Sequence, residues 1–101
     1  VRYNIYMSHF VYIVRCNDDT LYTGYATDLL KRMDEHNGKG ATATELSAGA
    51  KYTRSRRPVQ LKYFEEYENR SDAQRREYAV KQLSRPQKLE LIKSKKLEKL
   101  K

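Results

Sequence analysis

Hydrophobic and polar residues follow one another along the chain in patterns that predict three β-strands. Residues 10–16, FVYIVRC, are mostly β-branched and aromatic, which predicts a strand with both faces largely covered. Residues 17–20, NDDT, predict a turn, because Asn and Asp hydrogen-bond their own backbone and tolerate left-handed φ angles. A second strand is predicted at residues 21–25, and the period-two alternation of residues 59–63 predicts a third.

A helix is predicted directly after the second strand. Thr27 is a good N-cap residue for its first turn. The spacing directs Leu29, Leu30 and Met33 inward, and the Asn-Gly pair at residues 37–38 predicts a left-handed C-cap.

Two further helices are predicted in the C-terminal part of the chain. Residues 71–74, SDAQ, form a capping box that begins the second helix. Pro86 breaks or restarts this helix, because proline lacks a backbone donor and clashes with the preceding turn. The last segment is weakly amphipathic, with apolar residues set among many lysines.

Residues 38–58 are rich in Gly, Ala, Ser and Thr and predict a loop with a helical turn around residues 44–48 and a basic second half. The predicted order is therefore β-β-α-β-α-α. Three antiparallel strands flanked by helices give an α+β fold. We expect one domain over residues 9–93, an N-terminal extension at residues 1–8 and a basic tail at residues 94–101.

Composition narrows the class of protein. The chain has 101 residues, enough for one domain, and a formal net charge of +8, which favours a polyanionic partner such as nucleic acid. An acidic membrane surface or simple solubility would also fit that charge. The single cysteine excludes a disulfide framework and a Cys-based zinc site. Without a signal peptide or an apolar run near the roughly 20 residues of a membrane span, we expect a cytoplasmic protein with no membrane partner.

The length of the hairpin loop decides which tyrosines share a face of the sheet. A three-residue loop at residues 18–20 pairs Val14 with Gly24, so that Tyr12 and Tyr22 lie on the same face as this glycine. A loop of two or four residues would put the tyrosines on opposite faces. Gly24 would then leave bare backbone that a ligand can approach, although two core tyrosines and a strand glycine explain the pattern equally well.

Two charged positions follow from helical spacing. Arg32 and His36 are four residues apart on the first helix, so they share a face, unless Arg32 simply pairs with Asp28 on a solvated flank. On the second predicted helix, Glu77 lies on the stripe that should face the sheet. A carboxylate there requires a cation, a metal or a hydrogen-bond donor. The simpler alternative is a structural ion pair with Arg75 or Arg76.

Taken together, these residues resemble the GIY-YIG nuclease superfamily, and more closely its small stand-alone bacterial branch. The matching positions are FVY at residues 10–12, YTG at residues 22–24, Arg32 and His36 on the following helix, and Glu77 on a later one. Each motif is short, but their order and spacing are specific, and the similarity covers most of the chain.

The resemblance implies a three-stranded antiparallel sheet and metal-dependent hydrolysis of phosphodiesters. Glu77 would be the single metal-binding carboxylate for Mg²⁺ or Mn²⁺, the only cofactor implied. Arg32 would stabilise charge on the phosphate. Tyr12 and Tyr22 would position or deprotonate the attacking water, helped by His36, and which tyrosine is the base stays open. Because tyrosine has a pKa near 10, a nearby metal, Arg32 or His36 would have to lower it.

The sequence also departs from the family pattern. FVY and YTG replace GIY and YIG, and Tyr25 stands where some relatives have a lysine. No asparagine follows Glu77 to match the supporting Asn of some relatives, and residues 42–49 look like an insertion.

The function expected from the resemblance is that of an endonuclease with structure-selective or weak sequence preference. Such an enzyme would act in DNA repair. Its partner would be DNA, with RNA as an alternative. We expect a monomer that nicks one strand at a time. Two other functions stay open: a non-catalytic nucleic-acid-binding module on a nuclease scaffold, and a basic protein-interaction module. The residues predicted to contact nucleic acid are Lys39, Lys51, Tyr52, Arg54, Arg56 and Arg57.

Overall fold

A computed structural model describes residues 8–38 and 48–99 of the protein. The elements in chain order are β1 (His9–Arg15), β2 (Leu21–Ala26), α1 (Leu29–His36), α2 (Ala48–Thr53), a 3-10 turn (Arg54–Arg56), β3 (Gln60–Tyr67), α3 (Arg70–Lys81) and α4 (Arg85–Lys99). The three strands form one antiparallel sheet in the order β2-β1-β3, which confirms the predicted α+β fold. Helix α2 and the 3-10 turn occupy part of the predicted loop.

The β1–β2 loop has three residues, as predicted, but it begins one residue earlier and spans residues 17–19. The Cys16 backbone N–H donates to the Thr20 carbonyl at 2.8 Å, which closes the loop. Asp19 has a φ of +71°, the left-handed conformation that this loop length requires. The Asp18 carboxylate accepts from the backbone N–H and the hydroxyl of Thr20 at 3.2 and 2.6 Å. These bonds fix where β2 begins.

The strand register corrects the predicted pairs without changing the predicted face. Tyr12 lies opposite Gly24, and Val14 lies opposite Tyr22, so the predicted pairing of Val14 with Gly24 is wrong by two residues. A shift of two residues keeps every side chain on its original face, because side chains alternate with a period of two. Tyr12, Tyr22 and Gly24 therefore share one face of the sheet.

The sheet carries a hydrophobic core on each face. Helix α3 covers one face, and its core residues are Val11, Ile13, Tyr63, Ala73 and Val80. Leu29 and Met33 of helix α1 pack on the other face, whose core residues are Tyr12, Val14, Cys16, Ala26 and Val59. Since β2 is an edge strand, side chains from both layers can reach the same edge of the sheet.

Helix α1 differs from the prediction at its start and on one face. Its N-cap is Asp28 rather than Thr27, and the Asp28 carboxylate accepts from the Lys31 backbone N–H at 3.0 Å. Leu30 is 78% exposed, so its predicted inward orientation is wrong. Leu29 and Met33, four residues apart, form the stripe of this helix that packs on the sheet, and Leu30 lies beside that stripe on the solvent side. Gly38 has a φ of +79°, which confirms the left-handed conformation predicted at the C-terminus.

The later elements also shift by a few residues. Helix α3 is capped by Asn69, whose side chain accepts from the Asp72 backbone N–H at 2.8 Å, instead of by the predicted Ser71. Asn is as good an N-cap as Ser, so local sequence does not separate the two. Pro86 lies in the first turn of α4, where a missing N–H costs nothing. The predicted domain boundary at residue 93 falls inside α4. None of the helices within residues 8–38 and 48–99 is long and apolar enough to cross a membrane.

Candidate active site

The ring of His36 lies at the centre of the candidate site. The rings of Tyr12 and Tyr22 both contact it edge-on, each with a centroid separation of 5.7 Å. The three side chains come from β1, β2 and the last residue of α1. The shared sheet face of the tyrosines and the position of His36 on α1 thus bring these three predicted residues together.

Hydrogen bonds fix the orientation of the imidazole. His36 is fully buried, and its burial and the positive charge of Arg32 lower its pKa to about 4. At neutral pH the ring is therefore uncharged. The Thr53 hydroxyl donates to the His36 carbonyl and lies 2.9 Å from Nδ1, so it accepts the Nδ1 proton. Nε2 is left as an acceptor for the Tyr12 hydroxyl at 2.7 Å.

Tyr12 is a fully buried phenol whose proton stays in place. Burial raises the pKa of Tyr12, although the charge and hydrogen bonding of Arg32 act against it. Gly24 makes room for this ring. A Cβ built on Gly24 would lie 2.5 Å from Cζ of Tyr12. The expectation that Gly24 leaves bare backbone for a ligand is therefore wrong, because Tyr12 fills that space.

Tyr22 differs from Tyr12 in being partly exposed. Its ring stacks on Tyr52 with a centroid separation of 5.1 Å and an interplanar angle of 27°. Burial raises the pKa of Tyr22, and the charge of Lys81 is the largest influence that lowers it. The negative charge of Glu77 raises it further. The phenol therefore lies within electrostatic range of groups on α3.

Arg32 is held by the edge of the sheet and by its own helix. Its Nε donates to the Glu35 carboxylate at 3.0 Å, and its Nη1 donates to the Tyr25 carbonyl at 3.0 Å. The expected alternative of a side-chain pair with Asp28 is wrong. With 28% of the side chain exposed, the guanidinium is anchored and still reached by solvent.

Glu77 lies where the helical pattern predicts, between the buried residues Ala73 and Val80 of α3. Its side chain is 20% exposed. Its negative charge raises the pKa values of both Tyr12 and Tyr22, so the carboxylate is within electrostatic range of both phenols.

The partner of Glu77 is neither of the two arginines considered from the sequence. Glu77 Oε2 lies 3.1 Å from Nζ of Lys81, one turn along the helix. Arg75 pairs with Asp72, and Arg76 forms two hydrogen bonds with the carboxylate of Glu65, at 2.9 and 3.0 Å.

The donor set of the site fits one kind of metal ion. Within the described ranges, no three His, Cys, Asp or Glu side chains are grouped to hold a metal. A lone, partly exposed carboxylate suits Mg²⁺ or Mn²⁺, because such hard cations are held by one or two carboxylates and keep several waters. Glu77 is the carboxylate that could hold such an ion here.

Part of the predicted nucleic-acid surface is already engaged within the protein. Arg56 binds Asp18 at 3.1 Å and the Tyr52 carbonyl at 2.8 Å, and its guanidinium lies 4.1 Å from the centroid of the Tyr52 ring. The Tyr52 ring thus contacts Arg56 and Tyr22 instead of standing open for a base. These two residues tie helix α2 to the hairpin.

Arg57 is also a tether, since its Nε donates to the His36 carbonyl at 2.7 Å. Lys51 and Arg54 are exposed, as a phosphate-contacting role requires. Lys39, also predicted to contact nucleic acid, lies outside the described residues, as do residues 42–47 of the apparent insertion.

Two residues of the site are absent from the sequence-based prediction. Lys81 could have been found, because it follows Glu77 by four residues on a helix, the spacing of a Glu–Lys pair. Thr53 gives no such signal, because it belongs to a segment predicted as loop and reaches His36 only through the tertiary fold.

Comparison with known proteins shows which family the chain is similar to. Residues 8–90 match the GIY-YIG catalytic domain. A UPF0213 protein of Staphylococcus aureus is 52% identical over 86 residues, which cover 85% of this chain and 95% of the relative.

Two solution NMR structures are also similar. A UPF0213 protein of Bacillus halodurans gives a TM-score of 0.54 at 38% identity, covering 88% of this chain and 86% of that one. A protein of E. faecalis gives a TM-score of 0.56 at 40% identity, covering 89% and 88%. The family match covers most of the chain and the fold is similar to that of these relatives, and the chain therefore belongs to the GIY-YIG family of nucleases.

Proposed function

We propose that this protein is a divalent-metal-dependent endonuclease that hydrolyses phosphodiester bonds in DNA. The observation that supports this most is one cluster assembled from β1, β2, α1 and α3. Four side chains with complementary chemistry lie together at the β2 edge of the sheet: Tyr12, Tyr22, Arg32 and His36. The negative charge of Glu77, on α3, acts on both phenols. A partly exposed carboxylate, guanidinium and phenol in mutual range suit a cation and an anionic phosphate better than they suit a packed core.

Glu77 would hold the Mg²⁺ or Mn²⁺ ion, because its carboxylate is the one that acts on both tyrosines. When bound, such an ion acts as a Lewis acid on the phosphate and stabilises the leaving oxygen. Arg32 would bind the phosphate from the side of α1. Its contacts with Glu35 and the Tyr25 carbonyl hold the guanidinium in place, so little reorganisation is needed as charge develops.

The exposure of the two tyrosines supports different roles for them. Tyr12 is fully buried and keeps its proton, so we assign it to positioning, together with His36. Tyr22 is partly exposed and lies near Glu77, so we assign it the contact with the attacking water. In the protein without a bound metal ion, burial raises the pKa of Tyr22. Tyr22 can therefore act as a base only if additional positive charge near the phenol lowers that pKa.

The exposed Lys51 and Arg54 would contact phosphates beside the site, in keeping with the net charge of +8. A single metal site would cut one strand per binding event. We therefore expect a monomer that nicks DNA and selects its substrate by structure or weak sequence preference.

A cleavage screen with a matched pair of variants tests this proposal. Wild type and Glu77→Gln are incubated with duplex, flap, branched and single-stranded DNA in Mg²⁺ or Mn²⁺, and Glu90→Gln on the exposed face of α4 serves as the control. We expect cleavage by wild type and by Glu90→Gln, and loss of at least 100-fold (an order-of-magnitude figure) in Glu77→Gln. Equal cleavage by wild type and Glu77→Gln would refute the catalytic role.

Two observations favour a second candidate, a nucleic-acid-binding module without catalysis. The carboxylate of Glu77 is already paired with Lys81, and the sequence lacks the supporting asparagine of some relatives. This alternative predicts salt-sensitive binding to DNA or RNA and no cleavage of any substrate in either metal.

A further inference from the structure

Lys81 is a second cation at the carboxylate of the proposed metal site. It is the last residue of α3, and its Nζ lies 3.1 Å from Oε2 of Glu77. Its side chain is 46% exposed, whereas that of Glu77 is 20% exposed. The carboxylate is thus paired with the more exposed ammonium group, and a cation that binds Glu77 would have to compete with it.

The surroundings of Lys81 are those of a site and differ from those of an ordinary helix surface. The charge of Lys81 lowers the pKa of Tyr22, whose phenol lies on the opposite face of the sheet from α3. The same charge acts on Lys88, a half-buried lysine of α4. Burial is the main cause that lowers the pKa of Lys88, and the charge of Lys81 is the second. Two ammonium groups near one another repel. A bound anion would relieve that repulsion, so this position favours an anionic ligand.

We propose that Lys81 exchanges partners during the reaction cycle: it neutralises Glu77 while no metal is bound, and it binds a phosphate of the substrate once Glu77 holds a divalent cation. This inference rests on the proposed nuclease function. It adds a residue that touches the substrate, and it makes metal binding and phosphate binding at the site mutually supportive.

Electrostatics favours such an exchange. An ion with two positive charges on Glu77 repels an ammonium group only a few ångströms away, so Lys81 must leave the carboxylate when the metal arrives. Lysine can do so, because its charge is carried by a flexible four-carbon stem. The nearest strong anion then available is a phosphate of the bound strand.

The exchange makes a prediction that a surface ion pair does not. If Lys81 competes with the metal, removing its charge must tighten metal binding and at the same time weaken catalysis. A surface ion pair on a helix changes neither. Arg75 provides a matched control, because it forms an exposed pair with Asp72 at 3.2 Å on the same helix, away from the cluster.

The experiment measures Mn²⁺ binding by electron paramagnetic resonance on the full chain without DNA, and cleavage in parallel. The variants are Lys81→Met, Lys81→Arg, Arg75→Met and Glu77→Gln. We expect Lys81→Met to bind Mn²⁺ roughly 3- to 10-fold more tightly than wild type. We expect kcat/KM of the same variant to fall about tenfold or more. Lys81→Arg, which keeps the charge, and Arg75→Met should stay within about twofold of wild type in Mn²⁺ affinity.

Failure of this inference is distinguishable from failure of the proposed function. If Glu77→Gln binds Mn²⁺ as wild type does, the metal site itself is misplaced, and both proposals fall. If Glu77→Gln loses Mn²⁺ binding while Lys81→Met gains none, the nuclease proposal stands and the exchange by Lys81 is refuted. Tighter Mn²⁺ binding with unchanged cleavage would likewise overturn the assignment of Lys81 to the substrate phosphate.

Discussion

Gly24 offers the sharpest test of how the candidate site is built. It lies opposite Tyr12 in the sheet, and the space where a side chain would begin is filled by the phenol ring. Gly24→Ala would set its Cβ 2.5 Å from Cζ of Tyr12, well inside contact distance. The ring must move, and we expect this movement to break the hydrogen bond from its hydroxyl to Nε2 of His36, which is 2.7 Å long.

The cost has two parts that can be worked from this geometry. Forcing a methyl group into a packed site costs about 1–3 kcal/mol. Leaving the buried hydroxyl of Tyr12 and Nε2 of His36 without their bond costs about 1–3 kcal/mol more. We therefore expect Gly24→Ala to lower the free energy of unfolding by about 2–6 kcal/mol, measured by urea denaturation.

A double-mutant cycle isolates the contact. In a Tyr12→Leu background the ring is absent, so Gly24→Ala should cost nothing, and it can even stabilise the strand, because Ala loses less backbone entropy than Gly by about 0.5–1 kcal/mol. A similar cost in both backgrounds would refute the reasoning. So would a cost below about 0.5 kcal/mol in the wild-type background, a change typical of an unconstrained surface site.

Three further predictions concern single residues. Thr23→Val should raise the free energy of unfolding by about 1 kcal/mol, because the Thr23 hydroxyl is buried with no hydrogen-bond partner among the described residues. A lower free energy of unfolding in urea denaturation would contradict this. Burial raises the pKa of Glu65, but hydrogen bonds from Arg76 and two tyrosines outweigh this effect and hold the pKa below its usual value. The stability that this lowered pKa contributes is present above the unfolded pKa of about 4.3 and is lost as pH falls. The decrease in the free energy of unfolding on acidification should therefore be smaller in Glu65→Gln than in wild type. Because the pKa of His36 is about 4 when folded and about 6.5 when unfolded, stability should fall by about 3 kcal/mol from pH 6.5 to 4, and His36→Gln should remove most of that slope.

The basic segment from the end of α2 to the start of β3 contributes to the site chiefly by holding it together. Thr53 orients the His36 ring, Arg57 donates to the His36 carbonyl, and Arg56 links Tyr52 to the hairpin loop. Positive charge in this segment is thus partly used within the protein. It follows that Arg56 and Arg57 variants should lose stability as well as any affinity for nucleic acid.

Local sequence was sufficient to predict features that depend only on repeating backbone geometry. The alternation of side chains along a strand put Tyr12 and Tyr22 on one face, even though the predicted register was wrong by two residues. The 3.6-residue period put Glu77 on the sheet-facing stripe of its helix. Left-handed conformations at Asp19 and Gly38 followed from residue type and turn length.

The tertiary structure decided which partner each polar side chain takes. Glu77 pairs with Lys81 and not with a neighbouring arginine, and Gly24 accommodates Tyr12 and not a ligand. These choices depend on distances between groups that the fold brings together from separate elements, and on how much solvent each group retains. Periodicity carries no information about either quantity, so the sequence determined which faces the candidate residues occupy, and only the packing of α1, α2 and α3 around the sheet determined how they meet.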